Sequence, residues 1–458
     1  MGDRIALALE NARIVSEGQE RLGSVAVLHD GTIGQIVYGE DASLAGAADQ
    51  VVDCDGDYLL PGLIDAHVHF REPGLTHKGD MATESRAAVA GGVTSFIDMP
   101  NTKPITDNLS AVRDKCAMAQ GRSWANYGFH LGATNSNIEE IRRAANGEVA
   151  AIKLFMGSST GDMKVDERAT LERIFAESPL PVITHCETDG FIAERMQQAQ
   201  EKYGDEIPFA KHAWIRGREG CIKSTQLAME LAKAYGTRLH VLHLSTAEEA
   251  TLFRNLQGTP LAQQITAETC PQYLLFDDGD YERKEGLLKC NPSVKSASDR
   301  LALWEALRRR AIMTIGTDHA PHLIEEKLRP YASCPSGIAS IQHHLCALLD
   351  RAEQEQLPVP QLVESLCHNP ARLFGIAGRG FICEGYAADL VRVKRLYNSV
   401  LPQTLPFVSR CKWSIYKNIP TFHRVMFTLV NGNFAYRVGC WSEQPGGQAL
   451  RFHAQESR

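Results

Sequence analysis

The chain has no apolar run approaching the ~20 residues of a membrane-spanning helix. Its N-terminus shows no basic stretch leading into an apolar core and a small-residue cleavage site, so no secretory leader is expected. Ala6 stands where a myristoylation pattern needs Ser or Thr. No C-x-x-C pair occurs among the 12 cysteines, which are scattered from Cys54 to Cys440. With no export signal, reduced thiols in a cytoplasmic protein are expected, many of them packed as small hydrophobes. Nothing beside any of them marks a reactive thiolate. An excess of positive charge is missing too: 48 Lys and Arg face 55 Asp and Glu, a net charge of −7. That argues against a nucleic-acid binder, which needs a basic face, but leaves room for a local basic pocket around a small anion.

What is present is an ordinary globular composition, 44% hydrophobic and 22% charged, on 458 residues. That length allows more than one domain. Residues 1–58 read as short strands, with a tight turn at His29-Asp30-Gly31-Thr32. From residue 59 the pattern becomes strand then helix, repeated. Candidate strands cover 60–70, 94–99, 127–133, 150–156, 181–185, 239–244, 265–270 and 313–317. Helical stretches between them include 81–90, 138–145, 169–177, 220–234 and 298–310. This alternation predicts an α/β fold, a (β/α)8 TIM-type barrel over 59–375. A doubly wound open sheet is the alternative, but no Gly-rich dinucleotide fingerprint follows the first strand. Short strands return at 385–393 and 425–432. Neither chain end has enough strands to bury a face, so 1–58 and 376–458 are expected to pair into one small β domain. The polar, Gly-rich tail after Trp441 is expected to be loosely held.

Chemistry concentrates at the ends of the predicted strands. The first ends in His67-Val-His69, with Arg71 just beyond. Residues two apart on a strand share a face, so the two imidazoles project together and can share a metal ion. An isolated H-x-H is as often a pair of ordinary histidines. The rest of the chain decides. The fourth strand carries Lys153, the fifth ends in His185, the sixth in His243, and Asp318 follows the eighth. Singly, His185 and His243 read as core histidines, Asp318 as a turn cap and Lys153 as the buried partner of a carboxylate. Together the six fall where one barrel rim gathers them, at the end where barrel active sites lie. Imidazole and carboxylate ligands suit Zn2+ or a similar divalent ion. Lys153 is the odd member, because an ammonium repels a metal. Desolvation in an apolar strand can strip its proton. The neutral amine can then take up CO2 as a carbamate, an anionic ligand able to bridge two cations. Such a centre activates water and polarises a carbonyl, with Asp318 placed to move a proton. The reaction class is attack of water on an amide-like carbonyl, or its reverse.

Four stretches are most telling: His67-Val-His-Phe-Arg-Glu-Pro-Gly74, Asp98-Met-Pro-Asn-Thr-Lys-Pro104, Lys153-Leu-Phe-Met-Gly-Ser-Ser-Thr-Gly161 and Gly316-Thr-Asp-His-Ala-Pro-His322. They resemble the amidohydrolase superfamily and, within it, the dihydroorotases. Hydantoinases and allantoinases share the H-x-H and Thr-Asp-His pieces; Arg71 together with Asn101 is the dihydroorotase signal. The resemblance implies reversible cyclisation of N-carbamoyl-L-aspartate to L-dihydroorotate in pyrimidine biosynthesis. It implies two divalent ions, zinc being expected. His67, His69, Asp318 and carbamylated Lys153 would hold one, and Lys153, His185 and His243 the other. It implies that Arg71, Asn101 and His322 grip the free α-carboxylate, and that Asn291, Ser336 and Gly337 contact the substrate. A homodimer is common among such proteins. A guanidinium and an amide at a barrel mouth suit a carboxylate, which hydantoinase substrates lack. Two positions depart from the pattern: Gln272 stands where relatives usually have histidine, and Trp413-Ser-Ile-Tyr-Lys-Asn418 replaces the common Trp-Ser-Pro-Phe. Two other readings compete. An allantoinase or dihydropyrimidinase is one; allantoin-acting relatives tend to have Leu-Asn in place of Asn101-Thr102. A non-catalytic scaffold barrel is the other; such proteins usually lose metal ligands, and all six are kept here. The segment 318–337 is a candidate lid.

Overall fold

The computed structural model describes residues 4–157, 163–165 and 167–453. The first barrel strand, Leu63–Val68, is buried along its whole length. So are Val93–Asp98, Asn126–Phe129, Ile152–Phe155, Val182–His185, Leu239–Val241, Ile265–Thr269 and Thr314–Ile315. Strands covered on both faces have no solvated side to show, so they read as near-continuous apolar runs rather than alternating ones. Successive strands pair parallel, the third reaching the fourth through Leu131–Gly132. The circle closes where Val68 bridges His319, and the His69 amide donates to the His319 carbonyl at 2.8 Å. This is the (β/α)8 barrel that the alternation predicts.

The covering helices start on side-chain caps. Asp80 accepts from the Thr83 amide at 2.8 Å to open Met81–Ala90. Asn108 and Ser296 cap Leu109–Ala119 and Ala297–Arg308 in the same way.

Among the described residues, a nine-stranded sheet collects strands from both ends of the chain. Its seam is Tyr58–Pro61 lying antiparallel to Leu390–Val400, with Leu60 opposite Val391. Ile5–Ser16 and Gln19–Leu28 extend it on one side, Thr421–Val430 and Asn433–Arg437 on the other. Leu9, Val25 and Leu59 pack with Leu390 and Phe427, so each end supplies the apolar face that the other lacks.

The tail beyond Trp441 differs from the loose segment expected. Gly447 donates to the Ser123 carbonyl at 2.9 Å, and Leu450 to the Tyr127 carbonyl at 2.8 Å. Leu450 and Phe452 are buried in a cluster with Ile97, Ile183 and Phe374. Burying two such side chains contributes about 1.5–3 kcal/mol each, which outweighs the polar composition around them. A Cβ at Gly447 would lie 2.0 Å from the Ala125 carbonyl oxygen, so the glycine permits the close approach. No helix among the described residues is long and apolar enough to cross a membrane. All 12 cysteines are free thiols.

Candidate metal centre and substrate cavity

The strand ends bring the predicted residues to one cavity of about 800 Å3. His67, His69, Arg71, Asn101, Lys153, His185, His243, Asn291, Asp318, His322, Ser336 and Gly337 all line it. The last part of the motif that starts at Lys153, residues 158–161, lies outside the described residues.

Two groups of ligand atoms form at its floor. The Asp318 carboxylate lies 3.3 Å from His67 Nε2 and 3.0 Å from His69 Nε2. These three residues offer donor atoms within 4.8 Å of one another, a fit for a divalent ion. On the other side, His185 Nδ1 and His243 Nε2 converge to 2.8 Å. The His67 ring lies 5.4 Å from that of His243, which joins the two groups. Lys153 is 1% exposed, its Nζ 4.5 Å from the Phe155 ring centre. Among the described residues it has neither a hydrogen-bond nor an ion-pair partner. Burial pushes its amine down to about 8, against the pull of Asp318 and Glu268. Burial alone would raise the Asp318 carboxyl, but His67 and His69 outweigh it and hold it well below its usual range.

Carboxylates behind the histidines set their tautomers. His67 Nδ1–H donates to Glu268 at 2.6 Å, which turns the Nε2 lone pair inward. His185 Nε2–H donates to Glu187 at 2.9 Å, and Arg216 holds Glu187 through two bonds of 2.5 and 3.0 Å. Asp65 ties the first strand to the eighth by accepting from the Thr317 amide and hydroxyl at 3.0 and 2.6 Å. The strand pattern did not single out Glu268, Glu187 or Asp65. Glu268 left a trace, the one charged residue of the strand Ile265–Thr269. Glu268→Gln keeps an acceptor but removes the charge. It is expected to weaken metal binding about 10-fold, the lower end for such supporting partners. Competition with a chelator of known affinity checks this, and an unchanged affinity would leave Glu268 with packing alone.

Arg71, His243 and Asp318 sit at φ of +69°, +44° and +48°. Left-handed backbone costs a non-glycine residue about 1–3 kcal/mol and concentrates at functional sites. At the cavity mouth, Arg71 Nη2 lies 2.9 Å from His322 Nε2, and its Nε donates to the Pro321 carbonyl at 3.0 Å. Lys78, which the sequence reading missed, approaches His322 Nδ1 at 3.1 Å and pairs with Glu326 at 2.8 Å. Burial, then Arg71, Lys327 and Lys78, hold His322 neutral by lowering its pKa. Asn101 accepts from His69 Nδ1 at 2.8 Å. Asn291 Oδ1 is buried with no partner among the described residues. Gly337, at φ +146°, lets the chain pass where a Cβ would lie 2.5 Å from the Ala320 carbonyl.

Residues 58–427 match the amidohydrolase family. A dihydroorotase of Methanothermobacter thermautotrophicus is 31% identical over 439 residues, 94% of this chain and 94% of its own length. An allantoinase of Bacillus velezensis is 30% identical over 437 residues, again 94% of each. The solved structure of an L-hydantoinase (dihydropyrimidinase) from Arthrobacter aurescens aligns with a TM-score of 0.89 at 27% identity, over 98% of this chain and 100% of that one. The closed parallel barrel, the histidines at its rim and the extent of these matches have one reading: the chain belongs to the amidohydrolase family and is a cyclic amidohydrolase.

Proposed function

We propose that the protein interconverts L-dihydroorotate and N-carbamoyl-L-aspartate, a step of pyrimidine biosynthesis in the cytoplasm. The observation that carries this reading is Arg71. Its guanidinium is buried in the wall of the cavity that holds the metal donors, and among the described residues it has no carboxylate in contact. A buried cation without a counter-charge is expensive, and the free α-carboxylate of this substrate pair is the missing partner. Cyclic amides without that carboxylate leave Arg71 unpaired.

In this reading His67, His69 and Asp318, with Lys153 as a carbamate, would hold one zinc ion, and Lys153, His185 and His243 would hold a second. When bound, the pair supplies a water of lowered pKa and polarises the reacting carbonyl. The remaining steps belong to the chain. Arg71 and His322 fix the α-carboxylate at the mouth, with Asn101 between them and the histidines. The ring carbonyl then faces the floor. Asn291 Oδ1, buried and unpartnered, accepts a ring N–H. Ser336 and Gly337 close the wall beside it. Asp318 takes one proton of the attacking water and delivers it to the ring nitrogen as the C–N bond breaks, and the second leaves to solvent as the new carboxylic acid ionises to a carboxylate. We take residues 59–375 as the catalytic unit, supported by a β domain from 1–58 and 376–458.

The test is ring opening of L-dihydroorotate by the purified protein, with metal content measured on the same sample. Allantoin and dihydrouracil serve as comparison substrates. Turnover of either, without turnover of dihydroorotate, would replace the proposed substrate. Arg71→Met is expected to lower kcat/KM by roughly 10²-fold or more, since truncating one partner of a buried charge pair costs about 2–5 kcal/mol. Metal content should not change. An unaltered rate would remove Arg71 from the substrate site.

A further inference from the structure

One wall of the cavity is fastened by two buried lysines that have no carboxylate partner among the described residues. Lys327, 1% exposed, ends the short helix Ile324–Lys327. Its Nζ donates to the carbonyl oxygens of Lys289, Pro335 and Gly337 at 3.1, 2.8 and 2.8 Å. Lys289 Nζ donates to the carbonyls of Tyr331 and Cys334, both at 2.7 Å, and lies 4.2 Å from the centre of the Tyr331 ring. The Gly337 amide returns to the Lys289 carbonyl at 2.9 Å.

An ammonium has three N–H donors, and three carbonyls around Lys327 use all of them. A neutral amine would leave one carbonyl facing a lone pair, so this cage holds a cation. Keeping it charged is costly: burial pushes Lys327 down to about 7 and Lys289 to about 8. An apolar side chain of the same size would fill the space without that desolvation. What only a cation supplies is the convergence of five carbonyls from two separate segments.

Those segments face the cavity, although neither lysine does. Pro335, Ser336 and Gly337 line the wall, and the Ser336 carbonyl accepts from His322 Nε2 at 3.0 Å. On the other segment, Asn291 lies two residues beyond Lys289. We propose that Lys327 and Lys289 are positioning residues that pin residues 331–337 against 289–291, and so fix two substrate-facing groups, His322 and Asn291, in the cavity wall. The kinetic part of this proposal rests on the substrate reading above; the pinning of the loop does not.

The test uses full-length Lys327→Met and Lys289→Met, read by amide hydrogen exchange and by steady-state kinetics with L-dihydroorotate. Amides in 332–337 are expected to exchange about 10-fold faster, with the barrel strands unchanged. Loosening a wall that holds the substrate equally in ground and transition states raises KM. KM should rise about 10-fold, with kcat within about threefold and metal content intact. Unchanged exchange in 332–337 would overturn the proposal, as would a fall in kcat and metal content at constant KM. Loss of the fold in both variants would make the lysines structural and would also overturn it. Absence of dihydroorotate turnover in the unsubstituted protein would remove the substrate reading, while the exchange measurement would still decide whether the lysines hold the loop.

Discussion

Asp318→Asn is expected to lower turnover by about 10²–10⁴-fold, the range for removing a positioned proton-transfer group. The carboxylate sits 3.0 Å from His69 Nε2 and 3.3 Å from His67 Nε2. It is the anionic member of that donor set. Asparagine keeps the shape and one oxygen but can neither take a proton nor offset a divalent charge. Two effects are therefore combined, and metal analysis separates them. Normal metal content with lost turnover assigns the defect to proton transfer. Loss of metal with recovery at high added zinc assigns it to ligation. Turnover within a few fold of the unsubstituted protein, with metal present, would end Asp318's role in the chemistry.

The barrel was legible because its strands are buried on both faces. Segments such as Ile152–Phe155 and Val182–His185 are largely apolar, and that texture survives in the sequence as short runs between amphipathic helices. The site residues were legible for the same reason: a histidine or lysine set in or at the end of an apolar run is out of place unless something compensates it. His185, His243 and Lys153 stand out in this way. Glu187 and Arg216 did not, because each is an ordinary surface residue by type, and only the fold brings them within 2.5 Å inside the protein. Lys327 and Lys289 were hidden more deeply, since their partners are backbone carbonyls that carry no side-chain signature. The tail misled for a related reason. Two apolar residues, Leu450 and Phe452, decide its place, while composition averages over the polar residues around them.

Lys153→Ala is expected to remove one of two bound metals and to lower turnover by at least ~10²-fold, the scale of losing a single preorganised charge contact at a reacting centre. Lys153 faces the same cavity as both donor groups, 1% exposed. As an ammonium it would be a buried, unpartnered charge beside histidines, a state that is strongly disfavoured. As a carbamate it would supply the anionic oxygens that two neutral histidines, His185 and His243, lack for holding a divalent ion. The carbamate demands CO2, so its presence has a signature that simple truncation does not give. Metal-stripped protein reloaded with zinc in CO2-free buffer should recover full metal content only after bicarbonate is added, and Lys153→Ala should show no bicarbonate response. Two tightly bound metals in Lys153→Ala would refute the bridging role. Full reloading of the unsubstituted protein without bicarbonate would leave the lysine in place but take away the carbamate.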